Sequence, residues 1–256
     1  LHGGTTGTFF VAASGARHRV GFTEYQYSFL YNHLLTSASD FWERKYTHSV
    51  EQQLALLGFV GVPVNGSERT RLDVSADALR SLEEKFSAKT QSLQREFALI
   101  HPAAAFDTKQ WATENFARTA EFLAEKGIDT VAIATGRERA VLDKLRSESK
   151  VPITTLDNLS LPEITALASK ACLFVGNDSG IAHIAAAVNT PSVVVFGSSD
   201  PNHWRPWTDA PNEVVYHAMP CQPCPGYECK QFDRPHCILN VTTCSVISAV
   251  ERVLSK

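Results

Sequence analysis

From about Glu96 onward, unbroken apolar runs alternate with stretches whose apolar residues recur every three or four positions. Phe97–His101 (FALIH), Leu173–Gly176 and Ser192–Phe196 are runs of the first kind. They have the pattern of parallel strands covered on both faces. Thr130–Ala134 reads as another strand, closed by Gly136. Between these runs, Thr113–Lys126 carries Phe116, Ala117, Ala120, Leu123 and Ala124 at helical spacing and stops at Gly127. Arg137–Glu148 is a charged helix, and Ser160-Leu-Pro-Glu163 is a capping box that opens a helix to about Lys170. Thr243–Leu254 is amphipathic through Val246, Ile247, Val250, Val253 and Leu254. Strand–helix alternation of this kind predicts a doubly wound α/β domain.

The chain up to about Phe86 is less regular but of the same kind. It contains a small-residue helix ending near Gly15, a strand over Arg19-Val20-Gly21-Phe22, and a helix around Ser49–Leu57. Ser87–Arg95 is polar and reads as a linker, so the expected domains are 1–90 and 91–256. The chain opens Leu-His-Gly-Gly and its only methionine is Met219, so it reads as the interior of a longer protein.

Composition narrows the class. At 256 residues, with 44% apolar and 20% charged residues, the chain has enough apolar material for a real core. A net charge of −3 without a basic cluster gives no footprint for nucleic acid. No apolar run is long enough to form a membrane-spanning helix, and no signal-peptide pattern is present. Five of the six cysteines fall between Cys221 and Cys244, which suits a reducing, cytoplasmic protein with one cysteine-rich loop.

The candidate chemistry sits where strands hand over to helices. In open α/β sheets ligands bind outside the carboxyl ends of the strands. Asp178, Ser179 and Gly180 follow the strand Leu173–Gly176 there, at a helix start whose unpaired N–H groups and dipole suit a phosphate. The competing reading is an ordinary helix cap by Asp178 or Ser179. His183 lies one turn into the helix, as a site residue or as a semi-buried packing residue. A second corner, Pro102 to Trp111, places Lys109 where an ammonium can pair with a diphosphate. A third, Ala134-Thr135-Gly136-Arg137-Glu138, offers an acid for a ribose hydroxyl.

These motifs resemble bacterial glycosyltransferase family 9, the family of the lipopolysaccharide heptosyltransferases. The resembling pieces are Gly176-Asn-Asp-Ser-Gly-Ile-Ala-His183, Pro191, Phe196-Gly197, His101-Pro102 with Lys109-Gln-Trp111, Arg19-Val20-Gly21-Phe22 and His48 with Leu57-Gly58. The series Cys221, Cys224, Cys229, Cys237 belongs to the same set, and together they span nearly the whole chain in the family's order. The resemblance implies a GT-B fold, two Rossmann-like domains with the N-terminal one truncated here. It also implies inverting transfer with no metal ion or cofactor. Carried over, Lys109 would hold donor phosphate, Asp178 would contact the sugar, and Ser179 and Gly180 would meet phosphate. His183 would lie beside the site and Glu138 would match the ribose-binding acid. Lys109 and Asp178 are the expected catalytic pair, with the general base in the missing N-terminal part.

The expected reaction is transfer of a heptose from ADP-heptose, or of another sugar from its nucleotide, to a lipopolysaccharide inner-core acceptor. The expected place is the cytoplasm, with peripheral contact to the inner membrane left open. Two rivals stand beside it, a GT-B sugar-nucleotide epimerase and a non-catalytic nucleotide-binding remnant or scaffold. For the cysteine loop, Cys221, Cys224, Cys229 and Cys237 have spacing compatible with structural zinc. A labile disulfide pair, or free thiols in an ordered loop, would explain the same residues.

Overall fold

The computed structural model describes residues 3–87, 95–224 and 227–256. Most of the expected linker, residues 88–94, lies outside the described residues. The chain falls into two compact units, one reaching to Glu68 and including Asn202–Trp204, the other comprising Arg69–Pro201 and Arg205–Lys256.

In the first unit, helix α1 (Thr5–Ala13) precedes a two-stranded parallel sheet of β1 (Val20–Phe22) and β2 (His33–Leu35), with Val20 opposite His33. Helices α2 (Ala38–Trp42) and α3 (Ser49–Phe59) follow. Phe22, Leu35, Ala38 and Ala55 form a small core, backed by Tyr25, Phe41, Trp42 and Leu56. The start of α3 is closed from both sides. The Val50 N–H donates to His48 Nδ1 at 3.1 Å, and the His48 N–H donates to Glu51 Oε2 at 2.7 Å.

The second unit includes α4 (Ala76–Ser87), a helix not expected from sequence, whose residues fall within the expected 1–90 region. A six-stranded parallel sheet follows, built from β3 (Phe97–His101), β4 (Asp129–Ile133), β5 (Thr154–Leu156), β6 (Leu173–Asn177), β7 (Ser192–Phe196) and β8 (Asn212–Tyr216). Its order is β5-β4-β3-β6-β7-β8. The interleaved helices are α5 (Thr113–Glu125), α6 (Arg139–Glu148), α7 (Leu161–Lys170) and α8 (Gly180–Ala187), with α9 (Pro201–Trp204), α10 (His236–Leu239) and α11 (Thr243–Leu254) closing the chain. The expected strands and helices of this region all form. The edge strands β5 and β8 were not expected.

Alternation within each strand divides the core into two layers. Ala98, Ile100, Leu173, Val175, Val193 and Val195 pack with Trp111, Phe116 and Leu123 and with Val246, Val250 and Val253 of α11. Leu99, Phe174, Val194 and Phe196 are equally buried at the alternate positions. The chain winds outward from β3 in both directions, so the order reverses between β3 and β6. Such a reversal leaves a crevice at the carboxyl ends of those two strands.

The α7 capping box forms as expected. Ser160 N–H and Oγ donate to Glu163 Oε2 at 2.6 and 2.8 Å. Glu163 also receives Ser81 Oγ at 2.7 Å and Lys85 Nζ at 2.8 Å, which tie α4 to α7. Burial alone would raise the Glu163 pKa. The bonds from Lys85, Ser160 and Ser81 overcome that and hold it at about 2.

Candidate functional site

The loop after β3 is held by side chains from two strands' ends. Asn177, fully buried at the end of β6, accepts from the Trp111 N–H at 3.0 Å and donates Nδ2 to the Pro102 carbonyl at 3.0 Å. Gln110 clasps the same loop from within, donating to Pro102 O and accepting from the Ala104 N–H at 2.8 Å. Trp111 is buried against the core and donates Nε1 to Val241 O at 2.8 Å. A short 3-10 turn, Asp107–Lys109, is thereby fixed over the crevice.

That turn delivers Lys109 to Asp178, Nζ to Oδ2, at 2.7 Å. The Asp178 side chain is 6% exposed and the Lys109 side chain 22%. Ser199, just past β7, donates its hydroxyl to the same Asp178 oxygen at 2.6 Å. Ser198 locks the β7 end to the β3 loop, its N–H donating to Thr108 O at 3.1 Å and its hydroxyl to Thr108 Oγ1 at 2.9 Å. Gly197 permits that approach, since a Cβ there would stand 2.0 Å from the Thr108 carbonyl oxygen. Burying a carboxylate costs hydration that partners must offset, and here two donors converge on one oxygen.

Asp178 is therefore turned to Lys109 and Ser199, and Ser179 makes no side-chain cap to α8. Its hydroxyl lies 3.3 Å from His101 Nδ1 instead. A Cβ on Gly180 would meet nothing within 4 Å, so the helix start faces open space. The N–H groups and dipole of such a start favour an anion. Two histidines flank it, and burial shifts both below the usual imidazole range. Burial pushes His101 down to about 4, against an opposing pull from Glu138. Burial also lowers His183, with Asp178 raising it and Lys109 lowering it further.

Beside the helix start is a cavity of about 190 Å³. Ile133, Ala134, Leu159, Ile164 and Ile181 give it aliphatic walls, and His101, Thr135 and Asp157 contribute polar groups. Glu138 stands next to it, accepting from the Thr135 N–H at 3.0 Å and the Thr135 hydroxyl at 2.7 Å.

Of the site residues read from sequence, the structure gathers Lys109, Asp178, Ser179, Gly180 and His183 around one helix start. Glu138 sits at the neighbouring β4 corner, with His101 between. Sequence reading missed Ser199 and Asp157 as site residues, and it missed the stapling roles of Asn177 and Gln110. The available signal was position, because Asn177, Asp157 and Ser199 lie at or just beyond the carboxyl end of a strand.

The cysteine loop supports this site from behind. The Cys224 N–H donates to Ser198 O at 2.9 Å, and Gln222 donates to Gly197 O. Tyr227 packs edge-on against Phe106, whose ring lies under the Lys109 ammonium. All six cysteines are free thiols, and burial raises the Cys237 thiol next to Cys221 and Cys229. The zinc reading gains no support, because no cluster of three or more metal-capable side chains occurs among the described residues.

The sequence profile described as "Glycosyltransferase family 9 (heptosyltransferase)" matches residues 3–233. Lipopolysaccharide heptosyltransferase 3 of Escherichia coli K12 is 30% identical over 213 residues, covering 81% of this chain and 60% of that protein. Lipopolysaccharide core heptosyltransferase OpsX of Haemophilus influenzae is 25% identical over 191 residues, covering 73% and 51%. The chain thus spans only part of the relatives' length. Among solved structures, ADP-heptose lps heptosyltransferase II of E. coli superposes with a TM-score of 0.73 at 19% identity, covering 98% of this chain and 73% of that one. E. coli heptosyltransferase WaaC with ADP gives 0.57 at 20% identity, covering 88% and 60%.

Proposed function

The chain belongs to glycosyltransferase family 9 and has the α/β fold of its GT-B heptosyltransferases, and from this we propose that it is part of a heptosyltransferase of lipopolysaccharide core assembly that uses ADP-heptose. The observation that carries the reading is the meeting of Lys109, Asp178 and the open start of α8 at the strand-order reversal. The aliphatic cavity beside it takes the nucleoside, and Glu138 reaches the ribose. The helix start and Lys109 take the diphosphate, and Asp178 faces the sugar.

Glycosyl transfer breaks the bond between the anomeric carbon and the diphosphate oxygen, so negative charge grows on the leaving nucleoside diphosphate. Groups already aimed at that charge lower the barrier most. An ammonium and a helix dipole supply such groups here, so the reaction needs no divalent ion. An acceptor hydroxyl attacks in line from the opposite face, gives its proton to a general base of the complete enzyme, and inverts the anomeric centre. Asp178, shared between Lys109 and Ser199, orients sugar hydroxyls and keeps the ammonium in place. The acceptor is proposed to be an inner-core lipopolysaccharide intermediate at the cytoplasmic face of the inner membrane. Among the described residues no helix is long and apolar enough to cross that membrane.

Calorimetric titration with ADP, UDP, GDP and ADP-heptose tests the reading. ADP and ADP-heptose should bind in preference to UDP and GDP, with and without a chelator. Lys109→Ala should weaken both adenine ligands, and Asp178→Ala mainly the sugar-bearing one. If the folded chain binds no nucleotide, or binds UDP best, the donor assignment is wrong.

A further inference from the structure

Asp157 lines the cavity at the end of β5, and it is the sole carboxylate among the cavity's lining residues. Its side chain is 18% exposed and is held by Arg139, which reaches Asp157 Oδ2 through both Nε and Nη2. Arg139 is itself largely exposed, so the clamp comes from the solvent side. A carboxylate accepts hydrogen bonds, and its two oxygens offer about four acceptor sites.

The other polar groups of the wall are committed differently. The Thr135 hydroxyl donates to Glu138 at 2.7 Å, and His101 faces the Ser179 hydroxyl at 3.3 Å. The remaining walls are aliphatic and suit the faces of a flat ring. A ring slotted between such walls is told apart from others by its edge, and the charged acceptor at the edge is Asp157.

We propose that Asp157 is the base-selecting residue of the donor site, accepting a hydrogen bond from the exocyclic amino group of adenine. The inference rests on the nucleotide-binding reading above. It predicts a preference for an amino-bearing base over uracil, whose carbonyl oxygens would face a carboxylate. Arg139 acts as a positioning residue that holds the carboxylate in place.

The test compares ADP with purine riboside diphosphate, which differs only in lacking the amino group, by calorimetry on the whole chain. The native protein should prefer ADP by about ten- to hundred-fold, as a site built around a charged acceptor does. Asp157→Ala should bring the two ligands within about two- to three-fold by weakening ADP alone. Asp157→Asn, which keeps the shape, should also narrow the gap. Arg139→Ala should retain most of the preference. An equal affinity of the native protein for both ligands overturns the proposal. So does a preference that survives Asp157→Ala. Absence of binding by either ligand to the native chain overturns the nucleotide reading itself, and is distinguished by that.

Discussion

Lys109 and Asp178 stand 69 positions apart in the chain and 2.7 Å apart in the fold. The ammonium comes from a 3-10 turn after β3, and the carboxylate from the end of β6. A buried carboxylate next to the helix start proposed to hold the diphosphate would repel that group. The Lys109 ammonium offsets that charge and the Ser199 hydroxyl adds a hydrogen bond.

Lys109→Ala should weaken ADP binding by about ten- to hundred-fold, the range for losing one charge-assisted contact. It should also lower stability by about 1–3 kcal/mol, because Asp178 would remain buried with Ser199 as a weaker partner. Calorimetry and urea unfolding read the two effects separately. Lys109→Arg should recover stability better than affinity, since a planar guanidinium cannot retrace the ammonium's contacts.

Ser199→Ala removes the 2.6 Å donor to Asp178 while leaving Lys109 in place. The expected result is a loss of several-fold, up to about ten-fold, in affinity for ADP-heptose with little change for ADP. An equal loss for both ligands would show that Ser199 acts through the fold of the β7 end and not through Asp178.

Gly197→Ala should be among the more damaging small substitutions in the second unit. The added methyl would sit 2.0 Å from the Thr108 carbonyl oxygen, which is backbone and cannot swing away. The β7 end and the Lys109 turn would have to part, at a cost of about 1–3 kcal/mol. Nucleotide affinity should fall with stability, measured by thermal melting and by titration of the same sample.

His101 makes stability depend on acid. Burial lowers its folded pKa to about 4, while an unfolded histidine titrates near 6.5. Between those values the unfolded chain binds the extra proton, so stability is complete above about pH 6.5 and falls as pH drops towards 4. The contribution is on the order of 3 kcal/mol at most. Urea unfolding across that window should show a shallower slope for His101→Gln than for the native chain. Equal slopes would mean that His101 takes its proton in the folded state without penalty.

The strands β3, β4, β6 and β7 were visible in the sequence because each is central and covered on both faces, which demands a continuous apolar run. Thr154–Leu156 and Asn212–Tyr216 were not visible, and both lie at sheet edges where one side has no neighbouring strand. Thr154, Thr155 and Asn212–Val215 are only half-buried, so their composition carries a weaker strand signal. Helix α4 carries no comparable signal, and it groups with the second compact unit although it precedes the polar linker in the chain. What attaches it to the second unit is a pair of bonds to Glu163, far along the chain.

The site divides along the same line. The corner Asn177-Asp178-Ser179-Gly180, the Lys109 turn and the α7 capping box depend on neighbours a few positions away, so residue order alone placed each at a strand or helix end. Their meeting could not be read that way. Ser199 on Asp178, Asn177 on Pro102 and Trp111, and the cysteine loop against Gly197 and Ser198 all join strand ends distant in the chain. Local order set which chemistry stands at each corner. The sheet order β4-β3-β6-β7 decided which corners share one crevice, because only lateral strand pairing brings them side by side.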